Sequence, residues 1–356
     1  MPEEILLNKA PYENFGHSAI KNQRGRVASH TLLSQVKTSV RFGGAQISIT
    51  HKISENLTTL KGAIDWAEEN KVDYLVTPEG ALSGYYTEFA DTDELVQELF
   101  AAEKEIVSYA ASKNIGLCLG TLWVDNEKWG QCKRDQTRYY DKFGKFLGAY
   151  NKIMTIATDE VVPGTFHPGG IGVSGTEEFD GHPAVKLFAP NNPEGKFKVS
   201  TLICNDMYGE DSYGVSIARR ALYSLKNRMQ PVELLIHPTY GFRGKEIDES
   251  LDPERIQAVR DWHKNHLAML SWYTITDMLV VDSASNFGGM KSRYDTATPS
   301  GVLQNGKWVI TVPSHGEHFF YYDFNLPLVD ADNSEAPDTN ILAMMEANNP
   351  KPEEES

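Results

Sequence analysis

The sequence predicts an α/β domain. Strand-like and helix-like apolar patterns alternate from residue 45 into the 320s, no linker-like stretch interrupts them, and three apolar strands each end on a reactive side chain.

The elements follow in order. Ala45-Gln46-Ile47-Ser48-Ile49 alternates as a half-buried strand does, so regular structure is expected to begin there. Ser54 is placed to cap a helix whose Leu57, Leu60, Ile64 and Ala67 fall on one face. Asp73 to Thr77 is a short buried-strand pattern that ends at Pro78-Glu79-Gly80. Thr92 is placed to cap a second helix carrying Leu95, Leu99, Ala102 and Ile106, and Gly116 to Leu122 is the strand after it. Thr137 to Asp141 and Phe146 to Tyr150 flank Lys142-Phe143-Gly144-Lys145 as a hairpin. A second hairpin joins Ala184 to Phe188 with Phe197 to Cys204. Helices are expected over 213–229 and 253–273, alternating with strands at 233–237 and 278–282. Strands at 301–303, 308–312 and 319–324 close the body.

This places one domain over 38–330. Residues 1–37 are polar and weakly patterned and read as an extension that packs on the body or bridges to a partner, with disorder as the alternative. Residues 331–356 form an acidic tail with too little apolar surface to order itself.

With 356 residues the chain is long enough for a large core without disulfides or metals. Its 34 Lys plus Arg against 49 Asp plus Glu leave a formal charge of −15, which argues against nucleic-acid or anionic-membrane partners. Cys118, Cys132 and Cys204 cannot all pair and form no CxxC, as expected of a reducing compartment. The acidic start Met1-Pro2-Glu3-Glu4 lacks the pattern of a signal peptide, and no apolar run approaches the ~20 residues of a membrane span. The expected location is cytoplasmic.

The chemistry lies at three strand ends: Leu75-Val76-Thr77-Pro78-Glu79, Leu147-Gly148-Ala149-Tyr150-Asn151-Lys152 and Thr201-Leu202-Ile203-Cys204-Asn205. Sites in α/β folds gather at the carboxyl ends of strands, so a carboxylate, an amine and a thiol are candidates to converge. Each residue alone has a plainer reading, as a surface charge or a core thiol. Cys118 and Cys132 keep that reading.

Together these segments resemble the nitrilase superfamily of carbon-nitrogen hydrolases over about residues 40 to 325. The resemblance rests on Pro78-Glu79-Gly80, on Tyr150-Asn151-Lys152-Ile153-Met154 followed by Pro163-Gly164 and Phe166-His167-Pro168-Gly169, and on Leu202-Ile203-Cys204-Asn205-Asp206. It implies a four-layer α-β-β-α sandwich that assembles as a homodimer or larger homo-oligomer. It also implies a catalytic Glu79, Lys152 and Cys204, with no cofactor or metal. Glu79 would take the thiol proton, and Lys152 with the backbone N–H of Asn205 would meet the oxyanion. Glu160, eight positions after Lys152, matches a second glutamate of the amidase branch.

Branch markers favour a small amide as substrate. Carbamoyl amino acid hydrolases resemble Cys204-Asn205-Asp206 but continue with an arginine pair, where this chain has Met207-Tyr208; nitrilases carry Trp-Glu after the cysteine. A nitrilase, an N-carbamoyl amino acid hydrolase using Arg219, Arg220 or Arg243, and a non-catalytic binding scaffold are the alternatives. Tyr85, Tyr208 and Tyr240 are candidates to line the pocket. His263 and His266 lack the HExxH pattern of a zinc protease, and GxSxG and P-loop motifs are absent. A Cys-His pair using His167 or His237 would leave Glu79 and Lys152 without a role.

Overall fold

β1 (Lys37–Gln46), β2 (Tyr74–Val76) and β3 (Gly116–Glu127) run parallel, joined by helices α1 (Ile53–Glu69) and α2 (Asp93–Ser112). This computed structural model describes residues 37–85, 92–127, 130–152, 173–174, 184–208, 234–240, 253–274, 276–284, 286–287, 290–291 and 298–328. β4 (Gly130–Tyr140), β5 (Phe146–Asn151) and β6 (Val173–Ser174) extend the sheet in antiparallel steps.

The second sheet opens with the hairpin of β7 (Ala184–Ala189) and β8 (Asn192–Thr201). After helix α3 (Asn205–Tyr208) come β9 (Leu234–Thr239), helix α4 (Pro253–Thr274) and β10 (Asp277–Asp282), with β8, β9 and β10 parallel. β11 (Asn286–Phe287) and β12 (Met290–Lys291) pair separately. β13 (Gly301–Gln304) and β14 (Lys307–Thr311) finish the second sheet, and β15 (His318–Pro327) returns to pair with β1. The strand orders are β15-β1-β2-β3-β4-β5-β6 and β14-β13-β10-β9-β8-β7.

Alternation along the strands sorts side chains into layers. Val40, Phe42, Tyr74, Val76 and Cys118 face the second sheet and meet Leu187, Phe197 and Val199. Leu75, Leu117 and Leu119 face the other way, onto Leu60 and Ile64 of α1 and Leu99 and Ile106 of α2. Phe42 stacks on Tyr74 with centroids 5.5 Å apart, and Phe197 meets Tyr74 edge-on at 6.0 Å. The Tyr74 hydroxyl also ties the sheets by donating to the Phe188 carbonyl at 2.9 Å. α4 covers the outer face of the second sheet with Leu267 and Leu270, and its Lys264 carbonyl accepts from the Trp308 indole. The result is a four-layer α-β-β-α sandwich in one domain.

Two expectations need correction. β1 begins at Lys37, not Ala45, and ends at Gln46, so Lys37 belongs to the sheet rather than to the extension. Gly43 and Gly44 hide the strand in the sequence; they are there because Trp66 and Val72 crowd one and Phe320 the other. Ser54 does not cap α1, whose cap position is Lys52 without a side-chain cap bond. Asn56 does the local tying instead, accepting from Thr50 N–H at 2.8 Å and donating to the Thr50 and Leu82 carbonyls. The Thr92 cap is present, accepting from Leu95 N–H at 3.3 Å. The expected helix over 213–229, residues 1–36 and residues 331–356 lie outside the described residues. No described helix is long and apolar enough to cross a membrane.

Candidate active site

Glu79 stands in the turn that follows β2, and β3 fixes that turn. Thr77 N–H donates to the Cys118 carbonyl at 3.1 Å, Gly120 N–H to the Thr77 hydroxyl at 2.9 Å and Leu82 N–H to the Gly120 carbonyl at 3.2 Å. Gly80 adopts φ +68°, a conformation glycine takes without penalty, and turns the chain back after Glu79.

Lys152 is the first residue beyond β5, and its backbone N–H donates to the Asp135 carbonyl at 2.9 Å. Its ammonium lies 2.6 Å from Glu79 Oε1 and 3.3 Å from Asp135 Oδ2, with all three side chains at most 1% exposed. The Tyr85 hydroxyl is 3.4 Å away, and the Tyr85 ring stacks on Tyr240 with centroids 5.0 Å apart.

Cys204 leaves β8 at a strained elbow with φ +41°. Its N–H donates to the Pro238 carbonyl at 2.9 Å, and Asp206 braces the turn by accepting from Ile203 N–H at 3.2 Å and from the Tyr150 hydroxyl at 2.8 Å. Asn205 begins α3 directly after the elbow. Burial pushes the Cys204 thiol up to about 12, the negative charge of Glu79 adds to this, and Lys152 and a hydrogen bond with Thr239 oppose it. The thiol therefore rests protonated near neutral pH, within the fields of the Glu79 carboxylate and the Lys152 ammonium.

The sequence model of one known family, carbon-nitrogen hydrolase, matches residues 41–216. The chain belongs to the carbon-nitrogen hydrolase family. It is similar in structure to an amidase from Nesterenkonia sp., at 18% identity and a TM-score of 0.55, over 82% of this chain and 93% of that one. A mutant of that amidase, with the acetamide moiety of fluoroacetamide added covalently at its active-site cysteine, gives 18% identity and a TM-score of 0.56 over 87% and 97%. A carbon-nitrogen hydrolase from Helicobacter pylori gives 14% identity and a TM-score of 0.58 over 80% and 89%. At these identities the likeness is one of fold. No curated protein matches the chain.

The structure brings Glu79, Lys152, Tyr85 and Tyr240 together. Glu160, His167, Arg219, Arg220 and Arg243 lie outside the described residues, as does the side chain of Tyr208, the last residue of α3. His237 donates from Nδ1 to the Leu202 carbonyl at 2.7 Å, and burial lowers its pKa to about 4, which makes it a poor base for a Cys-His pair. His266 bonds the Met207 carbonyl at 3.1 Å, and His263 the Thr298 hydroxyl at 3.1 Å.

Sequence reasoning missed Asp135, Asp206 and Thr239. Asp135 had a usable signal: it shares the strand phase of Thr137 and Tyr139, both buried.

Proposed function

We propose that this carbon-nitrogen hydrolase converts a small amide to its acid and ammonia through a thioester on Cys204. Glu79 takes the thiol proton as sulfur attacks the carbonyl carbon. The carbonyl π pair moves onto oxygen, where the Lys152 ammonium and the Asn205 backbone N–H stabilise it. Collapse of the tetrahedral intermediate breaks the C–N bond, and the departing nitrogen takes the proton held by Glu79. Water then attacks the thioester, gives its proton to Glu79, and the acid leaves as the thiol is restored. The observation that carries this reading is the buried 2.6 Å contact of Lys152 with Glu79, two groups whose charges both act on the Cys204 thiol.

The stacked pair Tyr85 and Tyr240 supplies a flat apolar wall suited to a small, uncharged substrate. Butyramide and acetamide-type compounds, the chemistry of the Nesterenkonia complexes, are the first substrates to try. Glu160 is assigned the positioning of substrate and Lys152. Cytoplasmic location and pairing of subunits into a homo-oligomer complete the proposal.

Ammonia release from an amide panel by the wild type and by Cys204→Ala tests it. Release only by the wild type supports the mechanism, and equal release rejects it. Nitriles and N-carbamoyl amino acids in the same panel separate the branches by which class turns over fastest. A chain that turns over none of them, with a Cys204 that resists alkylation, would be the binding scaffold.

A further inference from the structure

We propose that Asp135 is a positioning residue of this active site, holding the Lys152 ammonium charged and in place and thereby keeping Glu79 ionised as the base. The inference rests on the reading of Glu79, Lys152 and Cys204 as the reacting groups and adds a fourth to them.

The placement is built into the sheet. The β4–β5 ladder pairs Gln136 with Asn151 and Thr137 with Tyr150, which sets Asp135 across from Lys152 at the ladder's end. The Gln136 amide donates to the Asn151 side-chain oxygen at 2.7 Å and locks that register from the neighbouring position. The carboxylate thus comes from a strand, which fixes geometry better than a loop.

A buried Lys–Glu pair can hold its protons in two ways, as ammonium with carboxylate or as amine with carboxylic acid. Burial penalises both charges and so favours the neutral arrangement. That arrangement fails catalytically on both sides. A protonated Glu79 cannot accept the Cys204 proton, and a neutral amine is a weak donor to an oxyanion. A second carboxylate 3.3 Å from Nζ favours the charged arrangement. Two anions and one cation then leave this trio with a net negative charge, which strengthens Glu79 as a base. The Tyr85 hydroxyl, at 3.4 Å, is a neutral contact of Nζ that an oxyanion displaces easily.

Other titratable groups face this cluster from the surrounding elements. Cys204 and Tyr150 feel the charge of Lys152, Asp282 and His237 feel that of Glu79, and Asp206 holds the Tyr150 hydroxyl. Asp135 touches Nζ itself, at 3.3 Å.

Alkylation of Cys204 by iodoacetamide tests the role without a known substrate. Sulfur bonds to the methylene carbon, iodide leaves with the bonding pair, and the thiol proton passes to Glu79. The pH profile of this rate is read by intact mass on the full chain for wild type, Asp135→Asn, Asp135→Glu and Glu79→Gln. Removing an anion from a coupled pair lowers both its apparent pKa values. Asp135→Asn is therefore expected to shift the acid limb to lower pH by about one unit and to slow the plateau about 10-fold. Asp135→Glu, which keeps the charge, should restore the limb. In amide hydrolysis, Asp135→Asn should lower kcat with little change in KM. A wild-type limb and plateau in Asp135→Asn would overturn the role of Asp135 and leave the other three residues as read. Alkylation of the wild type no faster than of Glu79→Gln would overturn the underlying reading and this inference with it. Should Asp135→Asn fail to fold by thermal melting, Asp135→Ser carries the same expectation.

Discussion

A β-carbon on Gly120 would lie 1.9 Å from the carbonyl oxygen of Pro78, the residue before Glu79. β3 therefore runs directly beneath the Glu79 turn, and the bonds that Gly120 exchanges with Thr77 and Leu82 depend on that approach. The position of Glu79 and the identity of residue 120 are one structural fact.

Gly120→Ala should accordingly damage both fold and chemistry. Backbone cannot swing aside as a flexible side chain can, so overpacking here is expected to cost about 3 kcal/mol. Urea unfolding checks the stability, and amide turnover should drop by at least about 10-fold as Glu79 moves off Lys152. An alanine variant as stable and active as wild type would show that the turn yields freely.

The elbow at Cys204 stores strain of another kind. A non-glycine residue at φ +41° sits in the left-handed region, at a cost of about 1–2 kcal/mol. Cys204→Gly and Cys204→Ala should both lose turnover. Glycine relieves the strain but gives back part of the gain through its freer unfolded chain, so the glycine variant is expected to be more stable by about 1 kcal/mol. Parallel urea titrations decide it, and an alanine variant equal to the glycine variant would mean that the elbow is not strained.

Glu79, Lys152 and Cys204, the trio proposed to react, are legible in the sequence because each stands just beyond an apolar strand, where an α/β fold gathers its ligands. Asp135 is hidden by its neighbours: Lys133-Arg134-Asp135-Gln136 reads as a solvated strand end until the alternation is traced back from Tyr139. The first half of β1 is hidden by two glycines that make room for Trp66 and Phe320, a need that arises only from tertiary packing. The cap of α1 is misleading for the same reason. Asn56, inside the helix, reaches the Leu82 carbonyl in the turn after Glu79, and no local rule shows that bond.

Glu79→Gln separates base catalysis from shape. The amide fits the carboxylate's volume but accepts no proton, so turnover should fall by about 10²–10⁴-fold. The Cys204 thiol, raised to about 12 in the wild type, then lacks its acceptor. Alkylation of the variant should climb steadily with pH through the alkaline range, because free thiolate is the only nucleophile left. The wild type should instead be flat there, and a flat profile in both would remove Glu79 from the role of base.

His237 predicts how stability responds to acid. Burial lowers its pKa from 6.5 to about 4, a cause partly opposed by the bond to the Leu202 carbonyl. Because the folded value lies below the unfolded one, the unfolded chain takes up the proton first as pH falls. The neutral imidazole's contribution is thus fully present above about pH 6.5 and is lost as pH falls toward 4. The side chain is 0% exposed, so solvent does not screen the effect. His237→Asn keeps a donor for the Leu202 carbonyl and removes the titration. Its stability deficit against wild type should be largest at pH 7.5 and smaller by about 2 kcal/mol at pH 4.5. Urea unfolding at the two pH values measures the difference, and a deficit that stays constant would show that the fold does not hold His237 neutral.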